Sequence, residues 1–400
     1  MKSQWLPLFV TLAIQAMVSL ALLAVPVMAT VVAQALGVPA TWVGVFVAIA
    51  YIGAILASLA SGSAVARFGA IRVSQAGLLL GAAGLVLCVV PSVPAVAAGA
   101  FLIGLGYGPI TPASSHLLAI TTPPQRMSLV FSIKQTGVPV GGMLAGAVVP
   151  ALVVLGGWQV ALLAVAAANI AATIASQPLR AELDGDRRAD RPLRFGNLLQ
   201  PLNLVFSQRA LKRLAAFSFV FSAMQLSLST YLVTYLQVAL DYGLVKAGLA
   251  LSVAQIGGIV GRIAWGYVSD RWLGARRALA VLAALMALST LATALLNAAV
   301  PQVLVFALLV VFGASAIGWN GVYLAEVARQ APPGMASMAT GGTLAVTFFG
   351  TVLGPALFGA MASLGGGYGA GFAALAVPTA ACFLILVRGE PPAASASTVK

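Results

Sequence analysis

Long apolar stretches follow one another along almost the whole chain, separated by short connections that contain polar residues, glycine or proline. A helix that crosses the hydrocarbon core of a bilayer needs about 20 predominantly apolar residues. By this criterion the pattern predicts twelve spans, and therefore an all-α membrane protein. The predicted spans cover approximately residues 5–33, 41–66, 71–90, 95–119, 127–154, 158–177, 211–237, 246–269, 277–297, 302–328, 336–362 and 368–387.

The composition agrees with this pattern and excludes an ordinary soluble domain. Hydrophobic residues make up 61% of the chain and charged residues 7%, and the mean hydropathy is +1.04. Span 1 follows a single Lys2 and is too long for the apolar core of a secretory signal, so we predict that it is retained. Cys88 and Cys382 lie within spans, without metal-ligand spacing, which indicates packing roles. No metal site and no cofactor are predicted.

The formal net charge of +13 reports orientation in a membrane and does not indicate a nucleic-acid partner. Eighteen of the 21 basic residues fall on one side of the twelve-span arrangement. Such an excess of lysine and arginine marks the cytoplasmic side. The sequence therefore predicts a multi-pass cell-membrane protein with both termini in the cytoplasm. Its high content of alanine, glycine and arginine is typical of a GC-rich bacterium, and hence of a bacterial cytoplasmic (inner) membrane.

Residues 178–210 form the only long polar segment. We predict a cytoplasmic linker here, with a short amphipathic helix on the membrane surface, between bundles of residues 1–177 and 211–400. The bundles repeat one another: spans 2 and 8 align at an offset of 204, spans 1 and 7 at 210, and "PPQRMS" (123–128) matches "PPGMAS" (332–337). The matched positions of spans 2 and 8 include Gly44, Gly53, Gly62 and Arg67 in the first half and Gly248, Gly257, Gly266 and Arg271 in the second.

The loop after span 8 reads "GYVSDRWLGARR" (266–277). It resembles the loop signature of the major facilitator superfamily, Gly-x-x-x-Asp-Arg-x-Gly-x-Arg-Arg, with one extra residue before the second glycine. The copy after span 2, "GSAVARFGAIR" (62–72), keeps the glycines and Arg67 but has Ala66 in place of the aspartate. The resemblance implies twelve transmembrane helices in two pseudo-symmetric six-helix bundles, which rock about a central binding site in a monomeric protein.

In that family the signature residues form a cytoplasmic gate, through bonds to helix ends of the opposite half that stabilise the outward-open state. A plain positively charged loop is the alternative interpretation. Because Ala66 lacks a carboxylate, we expect the first copy to form a weaker gate than the second. The candidate gate residues are Arg67, Arg72, Asp270, Arg271, Arg276, Arg277, Glu326 and Arg329.

Arg262 lies inside span 8, eight residues before Asp270 and therefore about 12 Å further along the helix. A charge inside a bilayer is costly, and a side chain that reaches about half of that distance stays within the membrane. The equivalent position in the first half is Ser58, so the gate does not require a charge here. The position predicts a binding group for an anion. A buried pair with Glu326 and snorkelling to the interface are the alternatives.

Arg262 also resembles an arginine of the monocarboxylate and oxalate–formate transporters of the superfamily, which contacts the substrate carboxylate there. This chain has Gly258 where the monocarboxylate transporters carry an aspartate, and it lacks their lysine in span 1 and the oxalate–formate lysine in span 11. The resemblance implies transport of a small organic anion. One strong cation suits a monocarboxylate better than a dicarboxylate.

Other polar residues in the spans are candidates for substrate contact. Lys134 lies about two turns into span 5, where ligand contact and snorkelling are both open. The glycines and Pro139 of the same span predict a helix that can kink. Gln255 falls on the same helix face as Arg262. The remaining candidates, which in general are more often helix–helix contacts than ligand contacts, are Gln15, Gln225, Tyr231, Tyr235 and Asn320.

Two residues are candidates for carrying a proton. Glu326 is the only carboxylate clearly inside a predicted span. It is interpreted as a brace that pairs with Arg329, as a proton carrier, or as an interfacial acid without a role. His116 occupies the matching place in span 4, where a proton switch and a hydrogen bond to a backbone carbonyl are the alternatives.

Together these features predict a secondary transporter for a small organic anion, driven by proton symport or by anion exchange, with the anion, protons and lipid as partners. A proton-driven multidrug or metabolite exporter is the alternative, although spans 1–6 lack an embedded acid for lipophilic cations. An enzyme is excluded because one histidine, two isolated cysteines and no paired intramembrane carboxylates form no catalytic group. The sequence also lacks the phosphate-binding loop of a primary pump and the charge rings of a channel.

Overall fold

A computed structural model describes residues 5–123, 127–185, 187–188, 190, 199–332 and 335–388. The described residues form a helical membrane protein whose crossings we label α1 to α12 in chain order. The matching segments 123–128 and 332–337 lie partly outside the described residues, and both chain ends, predicted to be cytoplasmic, lie outside them.

The first half contains six crossings, with Gly157 between the last two. The left-handed backbone of Gly157, with φ +85°, cannot continue a helix and separates α5 from α6 within the stretch Gly137–Ser176. The bounds are α1 Leu6–Val27, α2 Val43–Phe68, α3 Ala70–Cys88, α4 Val93–Tyr107 with Ile110–Thr121, α5 Met127–Gln135 with the first part of Gly137–Ser176, and α6 the rest of that stretch.

The second half repeats this order. Between the halves lie the short helices Arg180–Leu183 and Leu199–Ser207, and the latter packs against α11, where Val205 lies beside Gly342. The bounds are α7 Arg209–Leu240, α8 Leu244–Val268, α9 Gly274–Ala294, α10 Gln302–Ala316 with Asn320–Gln330, α11 Ala336–Met361 and α12 Gly367–Arg388.

The described helices are long and apolar enough to cross a membrane many times. Ten stretches meet this criterion, and two of them, Ile133–Leu183 and Leu244–Ala294, are 51 residues long. Because one crossing needs about 20 residues, each long stretch accommodates two crossings. The all-α, multi-pass membrane fold predicted from the hydrophobic pattern is therefore confirmed.

The prediction of one helical span over residues 5–33 is wrong at its C-terminal end. α1 ends at Val27, and a separate helix, Ala29–Leu36, follows. Pro26 has no backbone N–H and its ring crowds the preceding turn, so the helix does not continue regularly beyond it.

The continuous helices predicted for spans 4 and 10 are also interrupted in the structure. α4 breaks at Gly108 and Pro109, and α10 breaks at residues 317–319. Pro109 and Trp319 differ by 210 in number, so the two breaks are related by the repeat. Span 5, predicted to kink, breaks at Thr136.

In each half a glycine lets two helices cross closely. A Cβ atom on Gly104 of α4 would lie 1.7 Å from the Ala50 carbonyl oxygen of α2. A Cβ on Gly313 of α10 would lie 1.8 Å from the Ala254 carbonyl oxygen of α8. Close backbone approach through small residues is a common means of helix association in membranes. The repeated sequence thus produces the same helix crossing in both halves.

We predict that Gly104→Ala and Gly313→Ala each destabilise the protein by about 1–3 kcal/mol, because the added methyl group forces the crossing helices apart. Thermal unfolding in detergent measures the effect. Gly62→Ala and Gly266→Ala are matched controls on α2 and α8, since nothing lies within 4 Å of a Cβ at either position. Equal melting temperatures for test and control variants would contradict the close crossing.

Candidate functional site

Arg262 of α8 joins the two halves through hydrogen bonds to backbone carbonyls. Its Nε donates to the Ile317 carbonyl of α10 at 3.0 Å, and its Nη1 donates to the Gln135 carbonyl of α5. Ile317 belongs to the same half as Arg262, whereas Gln135 belongs to the other. The half-buried guanidinium therefore lies at the interface between the bundles.

Both carbonyls are free because their helices break at these points. In a regular helix the Gln135 carbonyl would accept a bond from the N–H of residue 139, but Pro139 has none. Ile317 follows the last residue of the first part of α10, where helix-end carbonyls lack a helical partner. A guanidinium offers five N–H donors, so it bonds both carbonyls and keeps donors for a further acceptor.

Lys134 lies beside the break in α5 and is buried, with 1% of its surface exposed. Its Nζ donates to Gln15 Oε1 of α1 at 3.3 Å, to Thr111 Oγ1 of α4 at 3.4 Å and to Gln135 Oε1 at 3.3 Å. Thr111 Oγ1 in turn donates to Gln15 Oε1 at 3.1 Å. The amine is therefore enclosed by three helices of the first half and does not snorkel in this conformation.

Neither cation has an acidic partner within the part of the chain that the structure describes. Their hydrogen bonds to described residues all go to neutral oxygens. Lys134 and Arg262 are also close enough to repel each other electrostatically. Buried charges usually have a partner of opposite sign. Two cations with only neutral partners therefore make this interface suited to an anion.

Tyr107 of α4 extends the same site. It lies within electrostatic range of Arg262, and its ring meets that of Tyr51 of α2 edge to face, with centroids 5.8 Å apart. The two rings add apolar surface beside the cations, together with hydroxyl groups that can bond a polar ligand.

Gln225 and Asn320, two of the candidates for substrate contact, lie together in the structure. Gln225 Oε1 of α7 accepts bonds from Trp319 Nε1 at 3.0 Å and from Asn320 Nδ2 at 3.3 Å. Trp319 and Asn320 follow Ile317, so this cluster adjoins the break in α10 that supplies a carbonyl to Arg262. Trp319 and Asn320 thus lie two and three residues along the chain from Ile317, whose carbonyl accepts a bond from Arg262.

Gln255 lies at the contact between the halves. Its Nε2 donates to Ser229 Oγ of α7 at 3.2 Å. On the other side it packs against α5, where a Cβ on Gly142 would lie 2.6 Å from that same nitrogen. The glycine of α5 therefore makes room for the amide of α8.

Comparison with known proteins identifies the fold. A bacterial homologue of the lysosomal transporter Spinster, in an inward-facing and unoccupied conformation, aligns with a TM-score of 0.68 at 15% identity, over 97% of this chain and 95% of that one. The nucleoside transporter NupG aligns with a TM-score of 0.77 at 16% identity, over 95% and 99% of the two chains. Residues 8–345 match the family model of the Major Facilitator Superfamily. The chain belongs to this superfamily. It is therefore a transporter and not an enzyme.

One curated relative shares detectable sequence similarity with this transporter. The benzoate transport protein of Acinetobacter baylyi is 25% identical over 307 residues, which cover 70% of this chain and 65% of that protein. The match thus spans slightly less than two thirds of the relative's length. Among solved structures, a peptide transporter in complex with sulfate aligns with a TM-score of 0.74 at 18% identity, over 96% of this chain and 93% of that one.

The far end of the transporter, defined by the α1–α2, α7–α8 and α11–α12 loops, is closed in this structure. The hydroxyl of the fully buried Tyr231 lies 2.7 Å from the Thr41 carbonyl of the first half and 2.9 Å from the Pro355 carbonyl of α11. Thr30 Oγ1 donates to Gln237 Oε1 across the same interface at 2.9 Å. Hydroxyl and amide groups therefore close this end.

The two tyrosines predicted to contact substrate lie elsewhere in this conformation. The Tyr231 hydroxyl forms the closure described above. The hydroxyl of Tyr235, one turn further along α7, donates to the Thr293 carbonyl of α9 within the second half. Neither hydroxyl joins the cluster around Arg262, because each donates its hydrogen bond to a backbone carbonyl elsewhere.

The basic end, defined by the loops that carry Arg67 and Arg271, shows bonds within each half. Arg276 donates from Nε to the Leu386 carbonyl at 2.9 Å and from Nη2 to the Val387 carbonyl at 3.4 Å, both on α12 of its own half. Arg72 Nη1 donates to Gln75 Oε1 of its own helix at 3.2 Å. The bonds given for these two arginines therefore stay within their own halves, and none of the expected bonds to described residues of the opposite half is formed in this conformation. Of the other signature candidates, Arg67 is half-buried, and Asp270, Arg271 and Arg277 are exposed.

Glu326 forms the pair along α10 that the sequence predicts. Its Oε2 lies 3.4 Å from Arg329 Nε, and its Oε1 accepts a bond from Gln330 Nε2 at 2.9 Å. The alternative pair with Arg262 is not formed in this conformation. His116 is half-buried on the second part of α4.

A linker carboxylate binds the first signature loop. The Asp184 side chain, 1% exposed, accepts bonds from the backbone N–H groups of Ile71 at 2.7 Å and Arg72 at 3.0 Å, in the first turn of α3. A negative charge at a helix N-terminus is stabilising. Gly69, with φ +94°, is required because a Cβ there would lie 2.2 Å from Asp184 Cγ. Although Ala66 lacks a carboxylate, the loop is therefore bound by an acid from elsewhere in the chain.

Sequence reasoning missed several residues of the site, and two of them had a detectable signal. Gln135 stands four residues before Pro139, a spacing that predicts a free carbonyl. Thr111 closely follows Pro109, which predicts a break in α4 beside it. Tyr107 and Asp184 gave no comparable signal, because their roles depend on helices distant in sequence.

We predict that Tyr231→Phe weakens the closure of the far end by about 0.5–1.5 kcal/mol, because the hydroxyl bond between the halves is lost. Double electron–electron resonance between spin labels in the α1–α2 and α11–α12 loops should show a larger population of long distances in this variant than in the native protein. Tyr235→Phe is the matched control, since its hydroxyl bonds only within the second half. An unchanged distance distribution in Tyr231→Phe would show that the hydroxyl does not contribute to the closure.

Proposed function

We propose that this transporter moves a small organic anion, a monocarboxylate, across the bacterial cytoplasmic membrane by alternating access. The observation that carries the proposal is the position of Arg262 and Lys134 at the contact between the halves, with only neutral oxygens as described partners. A carboxylate is the simplest ligand that supplies the opposite charge. The basic end is cytoplasmic in this proposal, and the protein acts as a monomer.

The sequence relationship with a benzoate transport protein supports this class of substrate. Benzoate combines one carboxylate with a flat apolar ring. The rings of Tyr51 and Tyr107, close to Arg262, offer a suitable surface for such a ring. An aromatic monocarboxylate is therefore the first ligand to test.

The geometry suggests how binding affects the two bundles. In this structure the guanidinium of Arg262 reaches the Gln135 carbonyl of the other half. A carboxylate is a stronger acceptor than a carbonyl and can accept two parallel N–H bonds from arginine. The incoming anion bonds the N–H donors of the guanidinium that the two carbonyls leave free, and it neutralises one positive charge. Transport is then completed by proton symport or by anion exchange.

An exporter of lipophilic cations is the second candidate, and the described site does not favour it. The described acids nearest to the membrane interior include Glu326, which is paired with Arg329. The cations at the interface repel a positively charged drug. Export of neutral or anionic compounds remains compatible with the same site.

We predict that benzoate at 100 times its dissociation constant stabilises the purified protein by about 2.7 kcal/mol, and that Arg262→Gln abolishes this effect. Arg262→Lys should bind more weakly than the native protein, because lysine lacks the planar two-donor geometry. Thermal unfolding with short mono- and dicarboxylates and with lipophilic cations measures both.

The control is Arg277→Gln, which removes an exposed arginine at the basic end and should leave the benzoate shift unchanged. A melting shift with a lipophilic cation but with no carboxylate would favour the exporter. A carboxylate shift that persists in Arg262→Gln would make Arg262 structural.

A further inference from the structure

We propose that Lys134 binds the proton that crosses the membrane together with the anion. The inference deepens the proposed function, on which it rests, by assigning proton coupling to a residue other than Glu326 and His116. It follows from the burial of the amine, its neutral partners and its neighbouring guanidinium.

The protein binds the ammonium group of Lys134 only weakly. Its three hydrogen bonds measure 3.3–3.4 Å, whereas charge-assisted bonds between nitrogen and oxygen are typically about 2.7–2.9 Å. The acceptors, on Gln15, Thr111 and Gln135, carry no net charge. A side chain that is 1% exposed also receives little compensation from water. Nothing described at this position therefore requires the amine to remain protonated.

Arg262 decides which of the two neighbouring groups can release a proton. A guanidinium stays charged at any physiological pH, whereas a lysine amine can become neutral. The two cations repel each other in the empty site. Loss of the proton from Lys134 Nζ to water removes this repulsion. An arriving carboxylate on Arg262 reverses the effect, because it favours a proton on the nearby amine.

The charge balance shows why this arrangement couples the two fluxes. With Lys134 neutral, the empty site has one positive charge, on Arg262. With the carboxylate bound and the proton on Lys134 Nζ, two positive charges and one negative charge again leave one. The site thus crosses the membrane with the same net charge loaded and empty. Each cycle transfers one proton from water to Nζ and later back to water, and no other bond changes.

Few of the described groups around Lys134 could carry a proton in its place. Among the residues that the structure describes, the charged or titratable neighbours of this site are Arg262 of α8, which stays protonated, and Tyr107 of α4. α1 and the first part of α5 contribute the amides of Gln15 and Gln135, and α4 adds the hydroxyl of Thr111. Glu326 is paired with Arg329 on α10.

The test uses two variants that set the charge of this position in opposite ways. Lys134→Arg is permanently positive and Lys134→Gln is permanently neutral. Each full-length protein is reconstituted into liposomes, and radiolabelled benzoate is followed in two assays. One assay imposes a pH gradient, and the other measures benzoate–benzoate exchange without a gradient. Proton uptake with benzoate is measured in parallel in weakly buffered vesicles.

We expect the native protein to accumulate benzoate at least tenfold faster under the gradient than protein-free liposomes, which report passive entry of benzoic acid, with one proton taken up per anion. At least one of the two variants should keep exchange, and each variant that exchanges should show no gradient-driven accumulation and no proton uptake. Lys212→Gln, which removes an exposed lysine outside the site, is the matched control and should keep proton-driven accumulation.

The proposal is overturned if either Lys134 variant accumulates benzoate under the gradient as the native protein does. It is also overturned if both variants fold but lose exchange, because Lys134 is then a substrate contact. Loss of folding in one variant leaves the other as the test, and a melting curve identifies this case. Absence of benzoate binding and transport in the native protein would instead remove the proposed function itself.

Discussion

The guanidinium of Arg262, bonded to two carbonyls that their own helices leave free, is the interaction on which the centre of this transporter depends. An unpaired carbonyl inside a membrane costs several kcal/mol, as does an unpaired charge. Here the two costs partly cancel. Pro139 and the break in α10 leave two carbonyls without a helical partner, and the guanidinium of Arg262 donates a hydrogen bond to each of them. The broken helices and the buried cation are therefore parts of one arrangement. Removing any one of them leaves the others without partners.

The repeat produces a symmetrical framework, and the charges make it asymmetrical. The same close glycine crossing occurs in α2 with α4 and in α8 with α10, through Gly104 and Gly313. By contrast, Arg262 corresponds to Ser58 at the offset of 204. The 209-residue offset of the proline segments likewise places Thr343 at the position of Lys134. One cation therefore comes from each half, at positions that the repeat does not relate. The pair therefore places a group that stays charged and a group that can lose its proton on opposite halves of one site.

Most of the fold could be predicted from the sequence, because lipid allows few backbone arrangements. The hydrophobic runs predicted the ends of the twelve crossings to within a few residues, apart from the end of α1 at Val27. The helix breaks were harder, since hydrophobicity does not report where a backbone bond is lost. Of the site, Arg262, Lys134, Gln15 and Gln255 were found as polar residues inside apolar runs. Gln135 and Thr111 were not, because Gln135 also contributes its backbone carbonyl and Thr111 looks like many other threonines in helices.

The two ends of the transporter differ in the chemistry of their contacts, and this has a consequence for the surrounding solution. The far end is closed by the neutral hydroxyl and amide bonds of Tyr231 and Thr30. Neutral hydrogen bonds are little affected by dissolved ions, whereas interactions between exposed charges weaken as ionic strength rises. The basic end carries exposed Asp270, Arg271 and Arg277. Changes in salt concentration will therefore affect the exposed charges of the basic end more than the neutral hydrogen bonds that close the far end.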